Sequence, residues 1–296
     1  MDAPQRRALA RFLAWIAVAA IAAALAAPTF LSLLSQAVDD AFGTVLPVIP
    51  FAALLTILFL LRWRDIAEIL YKEGGLRTEV PARLLGAGIV VATILLRGIT
   101  GLSVYSSAVA VVLVFYGTLL MINPLAKRIT FPYAAIYAVG VAAPAVLQWA
   151  FGEPLADLSS ALSQDFLAIG GIPLVWHGTE FQVVSKSGDL IAATVTPGCS
   201  SIVSVTTFIG LLALMHLDLR KDIASTIKVA AVGIVALTLL NAARITILVW
   251  VGYLQGATSF WDAHNWVGYA IFLGFYLVTL VFYPRMGRQK VPAAAL

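Results

Sequence analysis

Between Lys228 and Val251 the chain reads KVAAVGIVALTLLNAARITILVWV, with Arg244 as the one charge inside the run. A stretch of this length and apolarity matches the hydrocarbon thickness of a bilayer, which a helix of about 20 residues crosses. Inside hydrocarbon every main-chain N–H and C=O must find an internal partner, so the run is expected to be helical. Seven further stretches qualify, giving eight expected spans near 12–34, 44–62, 83–100, 103–122, 130–150, 200–217, 228–251 and 265–284. Hydrophobic residues make up 61% of the 296 residues and charged residues 11%, too little polar surface for a soluble domain of this size. The fold class expected is an all-α polytopic membrane protein, with residues 1–296 forming one integral membrane domain. The first span, RRALARFLAW followed by ALAAP, has the look of a signal peptide. Its apolar run continues through FLSLL beyond Pro28, so it is read as an anchor.

The basic residues orient the spans. Of the 19 Lys and Arg, only Arg97, Lys186 and Arg244 fall outside the segments that are cytoplasmic when the N-terminus is inside. A bias of that kind predicts both termini in the cytoplasm. The net charge of +4 is accordingly read as topology, with no nucleic-acid partner expected. Residues 151–199 then form a lobe on the extracytoplasmic side. In it Leu155, Leu158, Leu162 and Phe166 recur at helical spacing among Asp157, Ser159, Ser160 and Asp165. This pattern predicts a short amphipathic helix on the outer membrane surface. The stretch TEFQVVSKSGDLIAATVT predicts a β-hairpin turning at SKSGD.

Sequence signatures narrow the chemistry. There is one cysteine, Cys199, so neither an internal disulfide nor a thiolate metal cluster is available. His177, His216 and His264 are far apart, and no HExxH, GxSxG or Gly-rich phosphate loop is present. Arg244 lies about 10 Å inside the outer end of its span at 1.5 Å per residue. At such depth a charge is costly unless it snorkels to the interface or faces a polar cavity. Asn241 shares its helical face, which favours a pocket. His264 stands at the outer start of the eighth span among tryptophans, where an imidazole is either an interfacial anchor or a catalyst. Asp262 is close enough in sequence to orient it. His216 is read as an ordinary interfacial residue, and His177 as a lobe residue without a motif. Cys199 follows Pro197–Gly198 at the outer start of the sixth span, where helix N–H groups favour thiolate over thiol. Ser200, Ser204 and Thr207 continue a polar face below it. Nucleophile, base and charge stabiliser for thiol acyl transfer thus emerge on one membrane face from three spans.

This ordered set resembles the exosortase/archaeosortase family of membrane-embedded cysteine transpeptidases. The matching text is HGTEFQVVSKSGDLIAATVTPGCSSI, then NAARI, fitting N-x-x-R-I at Asn241 and Arg244. It closes with HNWVGYAIF, fitting H-x-x-x-G-x-x-x-F at His264, Gly268 and Phe272. The departure is Ser201, where the family commonly has glycine after Cys-Ser. The resemblance implies a cysteine peptidase or transpeptidase of the bacterial inner membrane with its active site on the extracytoplasmic face. It implies substrates that are secreted proteins ending in a short motif, a transmembrane helix and a basic tail, PEP-CTERM-like in bacteria. Cys199 would form a thioester, Arg244 would stabilise the oxyanion or orient substrate, and His264 would act as acid or base. Ser200, Asn241 and Asn265 would support them; no metal or organic cofactor is implied, and membrane lipids are the surrounding partners. Two other readings use the same residues. A transporter or channel would bind an anion at Arg244 and Asn241, and a non-catalytic assembly factor for envelope polysaccharide would not need Cys199.

Overall fold

The computed structural model describes residues 80–99, 104–122, 126–219 and 221–286, with residue 17 besides. The expected spans 12–34 and 44–62 lie outside the described residues. The chain divides into two compact units, Met1–Ala142 and Ala143–Leu296. In the first, α1 (Val80–Ile99) and α2 (Val104–Ile122) pack side by side. Their backbones meet at two glycines: a Cβ on Gly86 would lie 2.5 Å from the Gly117 carbonyl oxygen, and one on Gly117 2.7 Å from that of Gly86. Such small-residue contacts are how apolar helices approach closely without a hydrophobic driving force between them. Val90, Val114 and Met121 fill the seam beside them.

The helix α3 (Ala126–Gly170) covers the expected fifth span and then continues through the segment expected to be a separate surface helix. Within the second unit its packed face is not the leucine stripe. Gly152, Ala156, Ser159, Ser160, Ser163 and Leu167 are buried, whereas Leu158 is 44% exposed. The segment is helical as expected, but it continues the preceding helix and is not a separate short one. Small hydroxyl residues let neighbouring backbone come close, and their own hydrogen bonds remove the cost of burial. Ser163 Oγ donates to the Ser159 carbonyl (2.7 Å), and Ser160 Oγ to that of Gly178 (2.6 Å).

Three antiparallel strands follow in the order β1 (Leu174–His177), β2 (Glu180–Val184), β3 (Leu190–Thr194). β2 and β3 form the expected hairpin, with Phe181 opposite Ala193 and Val183 opposite Ile191. β1 was not foreseen. Phe181, Val183, Ile191 and Val195 form a buried cluster with Leu167, Ile245, Leu248, Val249 and Phe260, and removing each large side chain from water is worth about 1.5–3 kcal/mol. The opposite face, with Glu180, Gln182, Leu190, Ala192 and Thr194, is exposed.

The remaining helices are α4 (Ile202–Leu219), α5 (Ile223–Gln255) and α6 (Ala257–Phe282). Asp222 caps α5 by accepting the Ser225 N–H at 3.0 Å. Only Gly256 separates α5 from α6, at φ +94°. Its missing Cβ would lie 2.5 Å from Asp189 Oδ2 at the hairpin tip. The Lys186 N–H donates to the Tyr253 carbonyl at 2.8 Å beside it, so the tip is seated on the corner between two helices. Among the described residues, Ile202–Leu219, Ile223–Gln255 and Ala257–Arg285 are each long and apolar enough to cross a membrane. Phe131–Pro144 and Val146–Gly170 pass only as a pair. The protein is therefore a predominantly helical membrane protein.

Candidate active site

The thiol sits on a bend rather than on a helix. Pro197–Cys199 is a single 3-10 turn, closed by the Cys199 N–H donating to the Thr196 carbonyl at 2.8 Å. Ser200 is extended (φ −74°, ψ 169°) and α4 begins only at Ile202. This corrects the expectation that Cys199 opens the helix. Pro197 pre-sets the first turn position, and Ser200 stops it running on. Its hydroxyl donates to the Pro197 carbonyl at 2.7 Å, and the Ile202 N–H reaches it at 3.4 Å. Packing holds the turn from another side, where a Cβ on Gly152 of α3 would lie 2.9 Å from Pro197 Cβ.

Asn241 of α5 fixes the turn through its main chain. Fully buried, it donates from Nδ2 to the Cys199 carbonyl at 2.9 Å and to Ser159 Oγ of α3 at 3.2 Å. One amide thus ties α5, α3 and the cysteine turn together. The sulfur itself is half-buried, packs against the sheet cluster, and accepts from Thr196 Oγ1 at 3.5 Å. Thr196 and Ser159 were not singled out in the sequence. Thr196 had no distinguishing pattern, and Ser159 looked like the polar face of a surface helix.

Arg244 lies one helical turn beyond Asn241, and its charge acts on both Cys199 and His264. Its Nε is buried and has no hydrogen-bond partner among the described residues. Gly268 of α6 makes the room, since a Cβ there would stand 3.0 Å from Nε and 3.5 Å from Cδ and Cζ. This is a physical role for the glycine four residues after His264. Phe272, the last member of that pattern, is buried.

His264 is half-buried within α6, its ring 6.0 Å from that of Trp261. Asn265 follows it on α6. Asp262 is exposed, and none of the described hydrogen bonds joins it to His264. His216 hydrogen-bonds Thr226 Oγ1 through Nδ1 at 3.0 Å, and His177 ends β1 opposite Glu180. Neither belongs to the group around Cys199. The polar residues below the thiol are occupied structurally: Ser204 Oγ donates to the Ser201 carbonyl (2.9 Å), Thr207 Oγ1 to that of Val203 (2.8 Å). Ser201 fits in the buried seam with its hydroxyl 3.4 Å from Thr238 Oγ1 of α5. The described residues contain no group of three His, Cys, Asp or Glu side chains able to hold a metal ion.

The arrangement is a half-buried thiol on a braced turn, near a cation with unsatisfied donor capacity that in turn lies near an imidazole. Comparison with family models matches residues 49–281 to the transmembrane exosortase model (Exosortase_EpsH). Neither the curated proteins nor the solved structures returned a match. The family is generally one of cysteine transpeptidases acting on secreted proteins with C-terminal sorting signals. With residues 49–281 matched, most of its length, the chain belongs to the transmembrane exosortase family.

Proposed function

We propose that the protein is a membrane-embedded cysteine transpeptidase that cleaves a C-terminal, PEP-CTERM-like sorting signal from secreted proteins on the extracytoplasmic side of the bacterial inner membrane. Cys199 Sγ attacks the scissile carbonyl, forming the C–S bond of a thioester as the C–N bond breaks and the signal peptide leaves with a protonated amine. His264 takes the thiol proton and returns it to that amine. The Arg244 guanidinium stabilises the tetrahedral oxyanion. Asn241 and Ser200 hold the turn, and Asn265 supports the site from α6. A nucleophile of the envelope or water then displaces the sulfur, transferring or releasing the protein. Both termini are cytoplasmic and eight spans carry the site.

The observation that carries this reading is Arg244: a half-buried side chain beside Cys199 and His264 whose Nε is buried with no hydrogen-bond partner among the described residues. Withdrawing a guanidinium from water is costly, and negative charge developing beside Cys199 would offset that cost. The test is processing, in cells, of a secreted reporter ending in a short motif, an apolar helix and a basic tail. Cys199→Ala is expected to abolish cleavage while the protein still inserts; a Cys199→Ala protein that cleaves at the parental rate refutes the thioester route. An anion transporter would instead lose transport with Arg244→Ala and keep it with Cys199→Ala.

A further inference from the structure

The sheet beside Cys199 has an edge that nothing in the described chain covers. β3 pairs with β2 on one side only. In an antiparallel ladder, alternate residues turn their N–H and C=O towards the partner strand and the others turn them away. The Ser185 N–H donates to the Asp189 carbonyl and the Val195 N–H to the Thr179 carbonyl, both at 2.8 Å. The odd-numbered residues of β3 therefore face β2. Leu190, Ala192 and Thr194 turn their main-chain groups to the free side, where no hydrogen bond takes them up among the described residues. All three residues are exposed, Leu190 at 63%.

Free edges of this kind are usually blunted by lysine, proline or a bulge. The stretch Leu190–Val195, LIAATV, has no charge and no proline, and its register with β2 is unbroken. It also leads directly to the thiol. Five residues after Thr194 comes Cys199, and the intervening backbone is pinned at Val195 by Thr179 and at Cys199 by Thr196. A row of alternating donors and acceptors at strand spacing is matched by one kind of ligand, extended main chain.

We propose that the free edge of β3 is the substrate track: an extended segment of the protein being processed adds to the sheet as a fourth strand along Leu190, Ala192 and Thr194, and its scissile carbonyl is thereby delivered to Cys199. This rests on the thiol chemistry proposed above. Main-chain pairing supplies binding largely independent of sequence, and the small side chains Ala192 and Thr194 leave room for the incoming strand. The Arg244 and His264 groups then act on a carbonyl whose position is set by the ladder rather than by a deep side-chain pocket.

Proline scanning along β3 separates this from a merely structural role. Ala192→Pro removes an outward N–H and keeps the ladder to β2, because proline is tolerated on an edge whose N–H faces away. Ala193→Pro removes an inward N–H and serves as the unfolding control. Binding is read without chemistry in the Cys199→Ala background, by benzophenone placed at position 190 and cross-linked to the motif of the secreted reporter. Folding is read by the rate at which a membrane-impermeant maleimide labels Cys199 in proteins that keep it. Ala192→Pro is expected to lower cross-linking and processing at least tenfold with parental maleimide labelling, whereas Gln182→Ser, an exposed change on β2 away from the free edge, leaves both unchanged. Parental cross-linking by Ala192→Pro overturns the track, and so does an equal loss from Gln182→Ser. If cross-linking falls as expected but the Cys199→Ala protein still cleaves the reporter, the track stands and the thioester route fails.

Discussion

Replacing Asn241 by alanine tests whether the cysteine turn is held by a single amide. The side chain is fully buried and donates twice, at 2.9 Å to the Cys199 carbonyl and at 3.2 Å to Ser159 Oγ. Truncation leaves the carbonyl without that donor, at about 1–3 kcal/mol for a buried group, and opens a small cavity. Two effects work the other way. Ser159 can turn its hydroxyl to another acceptor, and removing Asn241 also removes its Oδ1, which has no partner among the described residues. The expected net loss is about 2–3 kcal/mol, or roughly 4–12 °C in Tm. Thermal unfolding of the detergent-solubilised protein measures this. Ser159→Ala alone is expected to cost less. In the Asn241→Ala background it should cost less still, because the two residues share one bond. Maleimide labelling of Cys199 should accelerate in Asn241→Ala, since the freed turn exposes the sulfur more often. A Tm within 1 °C of the parent together with unchanged labelling would refute the bracing role.

Two further substitutions probe glycines whose missing side chains shape the site. Gly268→Ala places a Cβ 3.0 Å from Arg244 Nε, so the guanidinium must move by a few tenths of an ångström. The gain in helix propensity of about 0.5–1 kcal/mol offsets part of the overpacking, so reporter cleavage should fall about tenfold or more with Tm changed by only a few degrees. Cleavage at the parental rate would mean that the exact place of Arg244 is immaterial. Gly256→Ala forces a side chain into φ +94° and against Asp189 Oδ2. A loss of about 1–3 kcal/mol should appear as a lower Tm, and an unchanged Tm would show that the hairpin tip is not seated on this corner.

Much of the class was legible because the signals are local. Apolar runs announce membrane helices through the desolvation cost of the backbone, and α4, α5 and α6 lie where those runs predict them. The β2–β3 hairpin was legible from β-prone runs around SKSGD, where Gly188 takes up a φ of +91°. The grouping of Cys199, Arg244 and His264 is an expectation from topology; the structure shows Arg244 acting electrostatically on each of the other two.

The sequence by itself determined that this is a helical membrane protein, the order of its polar residues and the turn before Cys199. Which face of residues 152–167 packs was decided by tertiary structure. Periodicity of leucine reports burial from water, but a close seam between helices selects small residues, so Gly152, Ala156, Ser159 and Ser163 are inside while Leu158 is out. The start of α4 three residues after Cys199, the bond from Asn241 to its carbonyl, and the space that Gly268 leaves for Arg244 are likewise tertiary. Each depends on atoms from elements tens of residues apart, and distances across such gaps are set by packing, which no local spacing encodes.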